Sequence, residues 1–398
     1  MRIISCTPAL LFILITSTYS AFAEVSINGF ASIRATSSDQ DGDTPAHQGI
    51  EGNGELSFKD ESLFALQARA DMGDGLSATI QIVAEGKNNF NLEASRAYIS
   101  YELTPNHRIS AGRFANPLFY QSEFENVGYA YNFARLPKSV YQPFEFNTID
   151  GITLDSDFTF GQYALTTKIL YGSWEGDFFE PLTGETNSFG LDDIVSLRAN
   201  FSGGWWNIYG GVIFNVLDGG EVDTDVIFAA AQPAIDFAIS QGATDVEVDN
   251  FLNAIKYTGK DGRYSYLGFN IDKNDILIDF EITRYGIKDS VDVFNQVWYA
   301  SLGYRVTPEI TILVHTEEFT QDNVEDKFLS KVNNQILFDT GIAFAEAFRE
   351  YEFKGSGVTL RHDFHPNAAL KVDYFLGEDS RTDVGDFSIW SVGIDLIF

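Results

Sequence analysis

One pattern runs from about residue 24 to the end of the chain: segments of roughly ten residues in which apolar and polar side chains alternate. Period two is the period of a β-strand, whose successive side chains point to opposite faces. In the last segment Trp390, Val392, Ile394, Leu396 and Phe398 share one face, and Ser391, Gly393, Asp395 and Ile397 the other. The same alternation recurs in 76–85, 96–103, 276–283 and 298–306, for example Ile276, Ile278, Phe280 and Ile282 against Asp279, Glu281 and Thr283.

The connections alternate too. Short Gly, Pro or Asn turns stand at 72–75, 104–106, 160–162, 202–204, 273–275, 307–309 and 365–367. Longer polar links stand between them, at about 37–53, 86–93, 115–149, 175–191, 217–261, 287–294, 320–354 and 379–386. Seven turns and eight links make fifteen connections, hence sixteen strands. A soluble β-sandwich alternates as well, but has no reason to sort its connections by parity. The sorting predicts an all-β chain: a 16-stranded antiparallel transmembrane β-barrel with short periplasmic turns and long extracellular loops. Physics favours closure, because in lipid every backbone N–H and C=O must pair within the protein, and a closed sheet has no edge. Trp206, Trp298, Trp390, Tyr101, Tyr171 and Phe398 suit the aromatic girdles of such a barrel.

Composition excludes other classes. With 57 Asp+Glu against 26 Lys+Arg the formal charge is −31, the wrong sign for a nucleic-acid partner. The 15% aromatic content is too rich for a disordered chain. Beyond residue 23 no uncharged run approaches the ~20 residues of a helical span. The first 23 residues read as a signal peptide: Arg2, the apolar stretch Ala9–Ile15, and Ala21-Phe22-Ala23 as cleavage site. The only cysteine, Cys6, would leave with it, so the barrel domain, 24–398, is expected to be exported without disulfides.

Catalytic and metal patterns are not evident, and no cofactor is expected. The histidines 47, 107, 315, 362 and 365 lack H-E-x-x-H spacing, and there is no G-x-S-x-G. His315 near Glu317 is best read as lumen-facing. Asp39, Asp41 and Asp43 begin like a calcium loop, but Thr44 occupies the place of its glycine. Two links show partial helical spacing, at 226–257 and 322–350, and are expected to carry short helices on the barrel rim.

The stretches LSFKDESLFALQARADMGDGLSATIQI (56–82), RAYISYELTPNHRISAGR (96–113) and FYQSEFENVGYAYNFARLPKSVY (119–141), with the terminal Ile394–Phe398, resemble the Gram-negative porin family. They are more specifically similar to porin-like outer-membrane proteins of marine gammaproteobacteria. The resemblance spans the chain after the leader, and its first half carries the family-specific part. It implies an outer-membrane homotrimer, passive diffusion of small hydrophilic solutes and ions, surroundings of lipopolysaccharide, and Phe398 as a signal to the barrel-assembly machinery. It also implies that the third long loop, about 115–149, folds into the lumen as a constriction.

If parity holds, the lumen receives Arg34, Arg69, Arg96, Lys168, Arg198, Arg361 and Lys371, and Glu85, Asp155, Asp279, Glu281, Glu317, Asp363 and Asp373. In the constriction Arg34, Arg69 and Arg96 fit a basic wall, and Glu123 and Glu125 an acidic loop that also carries Arg135, Lys138 and Glu145. Parity through Ile109 and Ala111 turns Arg113 outward, so the resemblance alone puts it in the lumen. Within the loop, Phe119, Tyr120, Phe124, Tyr129, Tyr131 and Phe133 are expected to pack on the wall while Glu123, Glu125, Arg135 and Lys138 face water. Gly128 permits a bend, and Pro137 and Pro143 stiffen the return. Opposed charges across such a gap orient dipolar solutes and reject apolar ones. The excess of acid predicts a modest cation preference. The rival reading is a structural or adhesion barrel with a blocked lumen, acting through loops 217–261 and 320–354.

Overall fold

The computed structural model describes residues 24–40, 50, 54–141, 146–180, 185–349, 352–381 and 385–398, with side chains for all except 177–180 and 185–187. The stretch 1–23 predicted as a leader, and Asp41, Asp43, Thr44, Pro143 and Glu145, lie outside the described residues. Sixteen strands follow in order. The first eight are β1 (Glu24–Ser38), β2 (Leu63–Gly73), β3 (Leu76–Glu85), β4 (Leu92–Thr104), β5 (His107–Ala115), β6 (Thr148–Phe160), β7 (Tyr163–Glu180) and β8 (Glu185–Ser202). The second eight are β9 (Trp206–Asp218), β10 (Asp261–Lys273), β11 (Ile276–Ile287), β12 (Asn295–Thr307), β13 (Ile310–Gln321), β14 (Phe353–His365), β15 (Ala368–Asp379) and β16 (Asp386–Ile397). Each pairs antiparallel with its sequence neighbours, and β1 pairs with both β2 and β16, closing the sheet.

The seam runs from Phe30 opposite Ile397 to Ser38 opposite Ile389. Beyond it, Gly29 and Phe398 exchange both backbone bonds, at 2.7 and 2.9 Å. The Phe398 ring lies where a side chain on residue 29 would stand, 2.3 Å from an ideal Cβ, so glycine there lets the terminal ring cover the seam. The tight turns, which lie at this same end of the strands, use left-handed residues, as at Gly73, Asp74 and Gly75 (φ 82°, 51° and 78°).

The outward face is the apolar one. Ile80, Ile99, Ile109, Ile152, Leu197, Leu267, Leu302 and Val314 are all exposed on it. Tyr163, Phe201 and Trp206 meet beside the short turns with ring centroids 5.5–6.1 Å apart. Near the long-link end the face turns polar: Arg113 pairs with Asp150, Tyr171 with Asp193, and Trp298 with Glu318.

One predicted link proves to be mostly strand. β7 and β8 run 18 residues each and pair as far as Glu180 opposite Glu185, leaving 181–184 as the connection within the predicted 175–191. Pairing of β6 with β7 begins at Ser173, and that of β8 with β9 ends at Gly190, so this hairpin rises beyond its neighbours. Trp174, Phe189 and Leu191 at its base pack on the interior core.

The two helical links do carry helices. A π-helical turn, Val222–Phe228, leads into α2 (Ala229–Ser240); after the link 241–244 comes α3 (Asp245–Ile255). A short helix, α1 (Lys138–Tyr141), precedes them in the third link, and α4 (Gln335–Phe348) follows β13. Thr244 and Glu247 form a reciprocal capping box on α3, and Asn334 caps α4. Buried Asp223 accepts from the N–H groups of Tyr257 and Thr258 at 2.6 and 2.9 Å, tying the start of this excursion to its end. Ile235, Phe251, Ile255, Leu337 and Ala345 join one buried cluster with Tyr209, Ile213 and Leu217 of β9. The helices therefore do not sit outside the rim; their apolar faces continue the core of the barrel interior.

Deleting Phe398 removes two backbone bonds and the ring over the seam, a loss of about 1–3 kcal/mol for the bonds alone. Urea titration of the refolded barrel, read by gel mobility without boiling, should show a lowered midpoint and slower folding. An unchanged midpoint would refute the assignment of the seam to this residue.

Candidate functional site: the third link and the inner wall

The link between β5 and β6 is held against inward side chains over much of the barrel. Its first part meets β7–β11. Phe119 contacts Tyr264 at 5.9 Å, Tyr120 stacks on Tyr209 at 4.1 Å, and Arg198 donates to the Tyr120 carbonyl at 3.1 Å. Its last part meets β11–β13. The Ser139 N–H and hydroxyl both donate to Glu317 at 2.6 Å, and the Tyr141 hydroxyl donates to Glu281 at 3.2 Å.

The middle part meets β14–β16 and β1. Lys371, fully buried, donates to the carbonyls of Gly128, Tyr131 and Phe133 at 2.6, 2.8 and 2.7 Å and pairs with buried Asp395 at 2.9 Å. Arg34 pairs with the same Asp395 at 3.1 Å and donates to the Ala134 carbonyl. Arg135 holds Glu61 at 2.6 Å and Asp373 at 3.1 Å, and Arg361 donates to Tyr131 O at 2.8 Å. Lys371, Arg34 and Arg135 thus meet Asp395, Glu61 and Asp373, and Arg361 pairs with Asp363 at 2.8 Å, so four cations meet four carboxylates and the charge is balanced. The Tyr129 hydroxyl reaches the Pro366 carbonyl in a short turn, at 2.7 Å. The link therefore runs from the long-link end down to the short-turn end.

Gly128 has a different role from a bend. It does not adopt a left-handed conformation; its backbone lies so close to the wall that a Cβ would stand 2.5 Å from Asp395 and 2.7 Å from Ser32.

The charged residues read from the sequence fall into four groups. Arg34, Arg135 and Lys138 are buried, Lys138 beneath the Phe353 ring at 5.5 Å, so Arg135 and Lys138 do not face water as expected. Arg96 donates to the Glu123 carbonyl, and Lys168 pairs with the Glu123 carboxylate and, at 3.4 Å, with Asp155; all are partly exposed. Arg69 points inward but stands apart, exposed and with no ion pair among the described residues. Arg113 is outward, beside Ile109 and Ala111, bonded to Asp150 at 2.8 and 2.7 Å. No register shift separates Arg113 from Asp150, so the bulge needed to turn it inward is absent and parity prevails over the resemblance. Phe124 is exposed and not packed on the wall.

Sequence reading missed Glu61 and Asp395 as anchors. It also missed that the inward face of β9–β16 is aromatic toward the long links. Tyr209, Tyr264, Tyr266, Tyr299, Phe353, Phe375 and Phe387 are buried there, against the expectation of a polar lining throughout. Solvated charge is left mainly to the β2–β8 side: Arg69, Arg96, Arg108, Asp155, Lys168 and Arg198.

Among the acids of the links, Glu61 and Glu125 shift in opposite directions. Burial alone would raise Glu61, but Arg135 and Arg34 outweigh it and hold the carboxyl at about 2. Burial pushes Glu125 up to about 7, with Lys87 and Arg96 only partly opposing and Glu85 adding to the rise.

No family model matches the chain, and no curated protein matches it. Solved structures do. An anion-selective porin from Comamonas acidovorans aligns with TM-score 0.56 at 12% identity over 94% of this chain and 100% of its own. The outer-membrane channel DcaP of Acinetobacter baumannii aligns with TM-score 0.55 at 12% identity over 94% and 97%. Salmonella typhi OmpF, in complex with daunomycin, aligns with TM-score 0.53 at 10% identity over 96% and 99%. At such identities the likeness is one of fold: a closed sixteen-strand barrel.

Arg135→Ala would strand Glu61 and Asp373 without their common partner, a cost of about 3–5 kcal/mol when buried pairs lose one member. The expected result is protease sensitivity confined to 128–141 in a barrel that still folds. Acid should act in the same direction. Because Glu61 is depressed, its contribution is present above the ordinary value of 4.5 and is lost as pH falls toward about 2. Pepsin should therefore cut the link increasingly over that interval, and cleavage independent of pH would count against the clamp.

Proposed function

We propose that this chain is an outer-membrane porin, forming a water-filled channel for passive diffusion of small hydrophilic solutes and ions. The observation that carries this reading is the third link, tied across the inner wall of a closed barrel whose outer face is apolar. A closed sheet with an apolar exterior suits lipid, and a sixteen-strand barrel is wide enough to hold water. The short turns would then be periplasmic and the long links extracellular, with residues 1–23 exporting the chain.

The permeation route follows the β2–β8 side of the lumen. There Arg69, Arg96, Arg108, Lys168 and Arg198 line the wall, with Asp155 between Arg108 and Lys168 on neighbouring strands and Glu123 of the link in contact with Lys168 and Arg96. A solute passing these groups would meet charge of both signs, and an apolar one gains nothing in exchange for its water.

A homotrimer has its own support. Between the strand ends the outer face of β1–β5 is rich in small and aliphatic residues, among them Ala31, Ala68, Ala78, Ala97 and Ala111, with Phe64 and Tyr101 as its exposed aromatics, whereas Tyr, Phe and Trp recur more often on the outer face of later strands. A face rich in small side chains suits close approach of a second copy better than it suits a lipid girdle. Lipopolysaccharide around the remainder and the barrel-assembly machinery acting on the terminal strand complete the reading.

One observation favours the rival reading. The helices above β9–β14 and the aromatic wall beneath them form a continuous core, which suits a blocked barrel displaying loops 217–261 and 320–354. Single-channel recording separates the two, since purified protein that inserts and stays silent refutes the channel.

Removing about ten residues around Glu123–Tyr131 should raise conductance and admit larger sugars in liposome swelling. A barrel that inserts normally with its size cutoff unchanged would show that this link is not the constriction. The channel should prefer cations modestly at low salt, with the preference fading as salt screens it. Glu125 is neutral below about pH 7 and anionic above it, so cation preference should step upward through neutrality. Glu125→Gln should flatten that step, and a step surviving in the variant would assign it elsewhere.

A further inference from the structure

One well-defined cavity lies outside the lumen. It is a groove of about 770 Å³ on the outer face of β7–β12, within the ~300–1,000 Å³ usual for small-molecule sites. Its floor is Ala199 and Gly210, which are paired neighbours at one level of the sheet. Its flanks include Ile169, Leu197, Leu267 and Ile282. One step toward the long-link end the lining turns polar, with Ser265, Arg284 and Gln296 cross-paired at a single level. Above Ser265 on the same face stands Arg263, exposed and without an ion-pair partner among the described residues. Arg284 is oriented by Asp322 at 2.5 Å and by the Phe294 ring at 5.2 Å.

We propose that this groove binds one acyl chain of a phosphate-bearing lipid, with the head group held by Arg263, Arg284 and Gln296. The inference rests on the membrane orientation proposed above. The apolar length lies toward the middle of the strands and the cationic end lies at the rim, which is the order of chain and phosphate in a leaflet. Arginine suits phosphate through its planar fork and weak hydration, and basic pockets at this depth select anionic head groups. The groove is also clear of the aliphatic β1–β5 face, so an assembly through that face leaves it open to lipid.

The test uses full-length barrel, delipidated in detergent and re-equilibrated with phosphatidylglycerol or phosphatidylethanolamine, with bound lipid counted by native mass spectrometry. Wild type should retain one phosphatidylglycerol per chain, at least tenfold more than phosphatidylethanolamine. Ala199→Phe fills the floor with an outward side chain and should abolish retention. Arg263→Gln should reduce phosphatidylglycerol to the phosphatidylethanolamine level. Equal retention of both lipids by wild type overturns the head-group assignment. Undiminished retention in Ala199→Phe overturns the groove, as does a change of oligomeric state in that variant, which would make the groove a contact between copies. Conductance is the independent control: Ala199→Phe should conduct like wild type, whereas a wild type that never inserts into bilayers defeats the membrane reading itself.

Discussion

The pairing of β1 with β16 is the constraint on which the rest depends. Every other strand pair joins sequence neighbours through a turn or link, and local contacts suffice to form it. The seam instead joins the two ends of the described chain and removes the last edges of the sheet. Once it is closed, inward and outward become distinct for every residue, and the period of two acquires its meaning. A slip of one residue at the seam would exchange the two faces of a strand, moving Asp395 outward and Ile394 inward. The close fit of Phe398 over Gly29 bears on the one register that hairpin geometry cannot fix.

Closure also creates the problem that the third link answers. A sixteen-strand lumen leaves inward charges at Arg34, Lys371, Asp373 and Asp395, and water could solvate them all. The link excludes water from these groups and supplies Arg135, three carbonyls to Lys371 and one to Arg34 in its place. Buried ion pairs gain little net stability, because desolvation offsets attraction. Their effect here is positional: a guanidinium satisfied by Glu61 and Asp373 together fits one placement of the backbone around residue 135. Gly128 sharpens this, since any side chain would push the link off Asp395. The clamp fixes where the link lies, and the aromatic contacts of Phe119, Tyr120 and Phe133 supply most of the burial.

The strand count, both faces of most strands and the existence of helices in two links were legible in the sequence, because each is local. Arg113 shows how far locality reaches: Ile109 and Ala111 already turned it outward, and the structure agrees with that parity. Glu61 shows where it ends. It sits in a polar link with no periodic signature, and only the closed barrel brings it to Arg135, 74 residues away. The aromatic half of the lumen failed for another reason. In β10 the outward residues include Arg263 and Ser265 near the rim, while Tyr264 and Tyr266 face in, so the apolar face near the long links is the inner one. Alternation identifies two faces; it does not say which is the exterior where an inward face has its own partner to bury against.

That partner changes what strand number means for such a barrel. Width is set by the number of strands, but aperture is set by what fills the cylinder. The link covers the wall of β14–β16 and β1, while the helical excursions and tyrosines occupy the upper part of β9–β13. The fill is covalently attached at both ends of each excursion, and its buried apolar side chains join those of the wall in one cluster. In the proposed channel a solute would meet the β2–β8 remainder, where Lys168 and Arg96 lean on Glu123. Transport through this protein would therefore be governed less by its sixteen strands than by a few partly exposed ion pairs, whose strength varies with salt and with the protonation of the acids facing them.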